Sequence, residues 1–261
     1  MRVVLIQMNI VWQNPQHNKE HITSFITDYF TKNADHHVPT LFILPEMFST
    51  GFAVDLTVEP QEDGSALPFM QDVAAQFSIA LAGSVVWKTK DQYFNRFFFV
   101  RPDRSFDSYD KRHLFTYGGE QHRFTAGNKR VITVWEGVRF LLQICYDLRF
   151  PVFARNKHDY DVIIYVSNWP TPRLSACRTL LQARAIENVC YVLGVNRVGT
   201  DPKCSYSGGT MAVDYKGQII VEAAENQEDV VTTILDLDQL RSYRDHFPAL
   251  DDADKFEIEF D

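Results

Sequence analysis

Residues 138–151 read VRFLLQICYDLRFP. The first eight residues, VRFLLQIC, read as an apolar strand that ends on Cys145, six of its side chains being apolar and its β-branched and aromatic residues favouring the pleat. The run turns polar at Tyr146-Asp147-Leu148-Arg149, and Pro151 suits the first position of a helix. A strand that ends on a cysteine and hands over to a helix is an α/β signature, because open α/β sheets place their ligands at the carboxyl ends of strands. Similar strand-like runs recur at 2–8, 40–44, 79–87, 93–101, 161–166, 190–196, 209–214 and 230–237. Helix-like stretches lie between several of them. Residues 18–31 keep Ile22, Phe25, Ile26 and Tyr29 on one face. Residues 174–189 do the same with Leu180, Leu181, Ala185 and Val189, and 65–77 opens on Ser65 as an N-cap. Alternation early and adjacent strands later imply an α/β protein with mixed sheets.

Composition bounds the rest. The chain has 261 residues, 45% hydrophobic and 23% charged, with no linker-like break, low-complexity block or repeat, so one domain over 1–261 is expected. The net charge of −8 leaves no basic surplus for nucleic acid or an anionic membrane. Its acidic bias gathers in residues 251–261, within an extension over 238–261. Apolar runs are strand-sized, too short to span a membrane. MRVVLIQMN turns polar too quickly for a signal peptide, which points to the cytoplasm. The four cysteines, Cys145, Cys177, Cys190 and Cys204, form no C-x-x-C pair and are expected as free thiols. There is no G-x-G-x-x-G, no phosphate-binding G-x-x-x-x-G-K-[ST], no H-E-x-x-H and no G-x-S-x-G. His17 and His21 flank Glu20 at helical spacing. A solvated helix face explains them, with a metal pair as the alternative; no metal or other cofactor is expected.

Three positions carry candidate chemistry. Cys145 is either a small core residue or a nucleophile, since a thiol at a strand end can be exposed and its thiolate favoured by nearby positive charge. Glu46 follows Pro45 at the end of the 40–44 strand. It is either a surface carboxylate or a partly desolvated acid–base. Lys111, in YDKRHLF, is either a surface lysine or, given its aromatic neighbours Tyr109 and Phe115, part of a packed loop. Next to a cysteine nucleophile it would stabilise the thiolate and then an oxyanion.

Together, LPEMF (44–48), YDKRHLF (109–115) and QICYDLRFP (143–151) resemble the Glu, Lys and Cys signatures of the nitrilase superfamily of carbon–nitrogen hydrolases, in that family's order. Further likeness lies in GGEQHRFTAGN (118–128), SNWP with Arg173 (167–173), ARAIEN (183–188), GVNRVGTD (194–201) and SGGTMAVDYKG (207–217), and runs from Met1 to about Leu237. The resemblance implies a four-layer α-β-β-α sandwich with two mixed sheets, and homodimers packed sandwich to sandwich. It implies a small-molecule amide substrate, Glu46, Lys111 and Cys145 as a catalytic triad, and Glu120 as a second glutamate positioning Lys111 and the substrate amide. It also implies the backbone N–H of Tyr146 as an oxyanion donor.

PEMFSTGF (45–52), the cysteine motif and SNWP with Arg173 look most like the ω-amidase branch, whose substrates are short α-keto dicarboxylate monoamides. A carboxylate in such a substrate needs a cationic clamp. Arg173 is the candidate; Arg149 is the alternative, or else a structural partner of Asp147. Trp169 and Phe115 would wall the pocket, or simply pack the core. N-carbamoyl hydrolases, nitrilases and aliphatic amidases share the triad, and a non-catalytic scaffold of the same fold remains the rival outside enzymology.

Overall fold

The strands alternate their faces, and both faces are apolar. In β1 (Arg2–Gln7), Val3 and Leu5 point one way and Val4 and Ile6 the other, all fully buried. A strand with no solvent side needs a layer on each face, and that requirement generates the architecture. The computed structural model describes residues 1–33, 38–54, 64–90 and 92–259.

The chain continues through α1 (Pro15–Lys32), β2 (Thr40–Ile43), α2 (Ala66–Phe77), β3 (Ala80–Thr89), β4 (Gln92–Val100) and β5 (Phe106–Asp110). Then come β6 (Ile132–Trp135), β7 (Val138–Ile144), a short α3 (Pro151–Ala154), β8 (Val162–Val166), α4 (Leu174–Asn188) and β9 (Tyr191–Val195). A small hairpin, β10 (Val198–Thr200) with β11 (Ser205–Ser207), precedes β12 (Met211–Val213), β13 (Ile219–Glu222), β14 (Asp229–Ile234) and α5 (Leu237–His246).

Two six-stranded mixed sheets result, ordered β14-β1-β2-β3-β4-β5 and β13-β12-β9-β8-β7-β6. β1, β2 and β3 run parallel in the first, β7, β8 and β9 in the second, and the outer strands are antiparallel. Leu5, Ile43, Ala82 and Phe99 meet Phe140, Leu142, Ile164 and Leu193 between the sheets. Outside the first sheet, Ile22 and Ile26 of α1 and Met70 and Val73 of α2 cover Ile6, Phe42 and Leu81. Outside the second, Cys177, Leu181 and Ala185 of α4 cover Leu141, Ile163 and Val192. The order of layers is α-β-β-α, as the resemblance implied.

Several details differ from the sequence reading. Ser65 sits at the N-cap of α2 but makes no capping bond; its hydroxyl faces the Lys19 ammonium. Leu180 is only half-buried, and the covered stripe of α4 runs through Cys177, Leu181, Arg184 and Asn188. Leu237 opens α5 rather than closing a strand. That helix lies on the body of the fold: Leu240 is fully buried, and Arg244 reaches the Asp161 carboxylate at 2.9 Å and the Tyr160 and Val189 carbonyls. Beyond it, Asp251 pairs with His158 at 3.0 Å, and the Lys157 ammonium donates to the Phe256 carbonyl at 3.1 Å. The last two residues of the acidic stretch lie outside the described residues.

Because α5 is packed into the core, Leu240→Ala should lower the unfolding free energy by about 2–5 kcal/mol in denaturant titration, the usual range for a buried leucine. A loss under about 0.5 kcal/mol, as for an exposed site, would show that the helix is not part of the cooperative unit.

Candidate active site

Strand ends build the site. β2 stops at Ile43, and the chain turns through Pro45, delivering Glu46 to the sheet edge. Two contacts fix this turn: Met47 N–H donates to the Ser84 hydroxyl at 3.0 Å, and Phe48 N–H donates to the Ser84 carbonyl at 3.1 Å. β5 delivers Lys111 as the residue after its last position, and β7 delivers Cys145 in the same way. Residues 145–149 form a single 3₁₀ stretch, with Cys145 at φ 45°. A left-handed cysteine is strained, and such strain concentrates where a side chain must be presented at a fixed angle.

Glu46, Lys111 and Glu120 are each fully buried. The Lys111 ammonium donates to Glu46 Oε1 at 2.8 Å and to Glu120 Oε2 at 2.9 Å. Asn95, from β4, donates its side-chain N–H to the same two carboxylates, at 2.7 Å to Glu46 and 3.1 Å to Glu120. The other oxygen of Glu46 accepts from the Asn168 backbone at 2.8 Å, while the Asn168 side chain donates to the Glu46 carbonyl at 2.7 Å. Glu120 also accepts from Phe115 N–H at 2.6 Å. Lys111 is therefore held as an ammonium: burial opposes its charge, and the carboxylates of Glu120 and Glu46 more than offset that. Burial raises Glu120 above the usual carboxylate range, opposed by Lys111 and reinforced by Glu46.

Cys145 differs from the expectation of a favoured thiolate. Burial pushes its thiol well above the ordinary value, the Glu46 carboxylate adds to this, and Lys111 only partly opposes it. Cys145 therefore rests as a neutral thiol under the influence of the Glu46 carboxylate.

Glu46, Lys111 and Cys145 open on one cavity of about 410 Å³, together with Phe115, Tyr146, Arg149, Trp169 and Arg173. Glu120 lies behind Lys111, outside that lining. Arg149 is not the partner of Asp147, whose carboxylate is taken up by Tyr109, His113 and the Ile144 backbone. Its guanidinium instead lies over Trp169, 5.0 Å from the ring centre. The Arg173 guanidinium lies 5.4 Å from the ring centre of Phe115 and 5.8 Å from that of Tyr117. Among the described residues neither head meets a carboxylate, so both keep donors for a ligand. Trp169 has its indole N–H bonded to the Arg173 carbonyl at 2.7 Å, tying wall to arginine.

Sequence reading missed Asn95 and the part played by Asn168. Asn95 was legible only as one polar residue inside the apolar run of β4; its partners lie 25 and 49 positions away. Trp12, Phe52 and Lys203 also line the cavity unanticipated. His21 contacts Glu228 at 2.8 Å, and no group of three His, Cys, Asp or Glu among the described residues is arranged to hold a metal. Nor, among them, is any helix long and apolar enough to cross a membrane.

A family model described as carbon-nitrogen hydrolase matches residues 2–245. The chain belongs to the carbon–nitrogen hydrolase family. It is 39% identical to the omega-amidase YafV of Yersinia enterocolitica, over 98% of both chains. It is 32% identical to the 2-oxoglutaramate amidase of Bacillus subtilis strain 168, over 96% of each. Among solved structures it resembles XC1258 of Xanthomonas campestris, a CN-hydrolase superfamily protein with an arsenic adduct in the active site, with a TM-score of 0.91 and 38% identity over 99% of both chains. This carbon–nitrogen hydrolase is an enzyme of amide hydrolysis.

A neutral resting thiol has a spectroscopic consequence. The difference in far-ultraviolet absorbance between the wild type and Cys145→Ala should contain no thiolate band at neutral pH, and the band should grow in only above the ordinary thiol range. A full band at neutral pH would contradict the reading.

Proposed function

We propose that the enzyme is an ω-amidase: it hydrolyses the terminal amide of a small α-keto dicarboxylate monoamide, such as 2-oxoglutaramate, to the acid and ammonia. One observation carries this reading most. A cavity that holds a thiol, a buried carboxylate and a buried ammonium also carries two guanidinium groups that meet no carboxylate among the described residues. A substrate with an amide at one end and a carboxylate at the other matches both halves.

As the amide carbonyl approaches, Glu46 takes the Cys145 proton and the sulfur attacks the carbonyl carbon. Negative charge moves to the carbonyl oxygen, where the Lys111 ammonium and the Tyr146 backbone N–H receive it. The intermediate collapses as Glu46 returns the proton to nitrogen; the C–N bond breaks, ammonia leaves, and a thioester remains on Cys145. Glu46 then draws a proton from water, hydroxide adds to the thioester, and the returned proton restores the thiol. Glu120 and Asn95 keep Lys111 charged and Glu46 in place throughout. The bidentate geometry of Arg173 suits the substrate carboxylate, with Trp169 and Phe115 as apolar walls.

The amidase names of the relatives at 39% and 32% identity support this substrate class over a nitrile or a carbamoyl amino acid. A non-catalytic scaffold is disfavoured by the presence of Glu46, Lys111 and Cys145 in one cavity. The four unbridged cysteines fit a reducing cytoplasm. Homodimerisation belongs to the same proposal.

Cys145→Ala should reduce ammonia release to background with the unfolding transition intact, and a slow substrate should leave an acyl adduct on Cys145 in mass spectrometry. Substantial turnover by this variant, or an adduct on Cys177, Cys190 or Cys204, would exclude the mechanism. Arg173→Ala should raise KM for 2-oxoglutaramate by about 10- to 100-fold, the worth of a charged hydrogen-bonded contact, and change a neutral amide little. Equal effects on the two would remove the clamp.

A further inference from the structure

Cys145 and Lys111 hang from different sheets. Cys145 follows β7 and Lys111 follows β5, and no strand pairing joins those two strands. Side chains must therefore set the distance between them. Asp147 is two residues beyond Cys145 and fully buried, and it makes that connection.

Its Oδ2 accepts from Ile144 N–H at 2.9 Å, the residue just before the cysteine. The same oxygen accepts from the Tyr109 hydroxyl at 2.8 Å. Its Oδ1 accepts from His113 N–H at 3.0 Å and lies 2.7 Å from His113 Nδ1. The carboxylate can only accept, so that ring nitrogen carries the proton. Tyr109 and His113 stand two residues before and two residues after Lys111. Asp147 thus grips the nucleophile's turn with one bond and brackets the lysine with three.

The supports are themselves fixed. Burial holds the Tyr109 phenol protonated, and the Asp147 charge adds to this, so its hydroxyl remains a donor. That hydroxyl also accepts from Arg112 N–H at 3.0 Å, closing the loop around Lys111. The His113 ring stacks on Phe150 at 3.9 Å, just past the 3₁₀ stretch. On the other side, Arg184 of α4 donates to the Leu148 carbonyl at 2.6 Å.

We propose that Asp147 is a positioning residue that fixes the Cys145 sulfur and the Tyr146 N–H in register with the Lys111 ammonium. It touches neither substrate nor reacting atoms; it acts through the backbone on both sides of the cavity. The inference rests on the nucleophile and oxyanion roles given above. Two features make a carboxylate necessary. All four contacts are donors, which suits an acceptor-only group, and an amide would turn an NH₂ toward two of them. The strained φ of Cys145 also needs an outside restraint, since the residue would otherwise relax toward the helical or extended region.

The test uses the full-length enzyme with Asp147→Asn and Tyr109→Phe. Asp147→Asn should lower kcat by about 100-fold, the scale of a displacement near 1 Å in a reacting group. KM for the best amide substrate should stay within about threefold, because substrate binding is not what is lost. Alkylation of Cys145 by iodoacetamide, measured by mass spectrometry relative to Cys204 in the same molecule, should change with it. Tyr109→Phe keeps the ring and should show a smaller loss in the same direction, and the double variant should be no worse than Asp147→Asn. If Asp147→Asn fails to fold, Tyr109→Phe decides alone. A folded variant of either kind with unchanged kcat and an unchanged Cys145 to Cys204 alkylation ratio overturns the inference, even if its thermal midpoint has dropped. A rise in KM at constant kcat overturns it too. Cys145→Ala run in parallel separates the failures: if it is active, the catalytic assignment is at fault; if it is dead while Asp147→Asn is not impaired, only the positioning role is lost.

Discussion

Three charges are buried together at the centre of this molecule: the Lys111 ammonium between the carboxylates of Glu46 and Glu120. Each ion taken from water costs several kcal/mol, and mutual attraction offsets this only if the geometry is good and the remaining lone pairs find donors. Here Asn95 bonds both carboxylates, and Asn168 and Phe115 supply the backbone N–H groups. The four side chains come from after β2, from after β5, from β4 and from a 3₁₀ turn. The cluster is thus a consequence of the completed sheet and cannot form in any part of it. Such a group is weak evidence for stability. Deleting one member would leave a buried charge uncompensated, at a cost of about 3–5 kcal/mol, so a lost activity in such a variant must be separated from a lost fold.

The sandwich makes this arrangement possible by burying both faces of its strands. Apolar strands leave only their ends for polar chemistry, and the parallel strands β2, β7 and β8 end on the same side, where Glu46, Cys145 and Asn168 follow them within three residues. Met47 and Cys145 both take positive φ there. The backbone turns sharply at the sheet edge, and the dense network of Ser84, Asn95 and Asp147 holds it. Rigidity of this kind suits the proposed reaction, in which the same carboxylate accepts and returns a proton.

Much of this was legible because strands buried on both sides write themselves as apolar runs. β1, β7, β8 and β9 were readable for that reason, and so was the polarity break after Ile144. Of the edge strands, β14 was read within 230–237, but β5, β6 and β13 were not. Phe106–Asp110 carries two aspartates in five residues, and Ile219–Glu222 is half exposed, so neither has a period to read. Helix α5 was hidden because Leu240 alone of its residues is buried. At the site, type and local context exposed Glu46, Lys111 and Cys145 as candidates. Their charge states were not local. Cys145 looked electropositive because Arg149 is four residues away, yet Arg149 turns to Trp169 and the nearest acidic influence is Glu46, 99 positions earlier in the chain. Asp147 was visible beside Cys145, but its partners Tyr109 and His113 come from β5 of the other sheet and the loop that follows it.

A neutral thiol is also the simpler electrostatic starting point for the anionic substrate proposed above. The buried cluster already sets two carboxyl groups against the one Lys111 ammonium. A thiolate would add a further negative charge, in a space that the proposed carboxylate-bearing amide would enter. In the proposed reaction the proton passes from sulfur to Glu46 as attack begins, so the charge travels from Glu46 through sulfur to the carbonyl oxygen without increasing. Lys111 touches Glu46 at the start and receives the oxyanion at the end, so the same ammonium faces the negative charge at both stages and little reorganisation is required. In that proposal the substrate carboxylate meets a separate set of cations, Arg149 and Arg173, which lie against aromatic rings and meet no carboxylate among the described residues. Keeping the two cationic systems apart would let one bind the anionic end while the other stays committed to the reacting one.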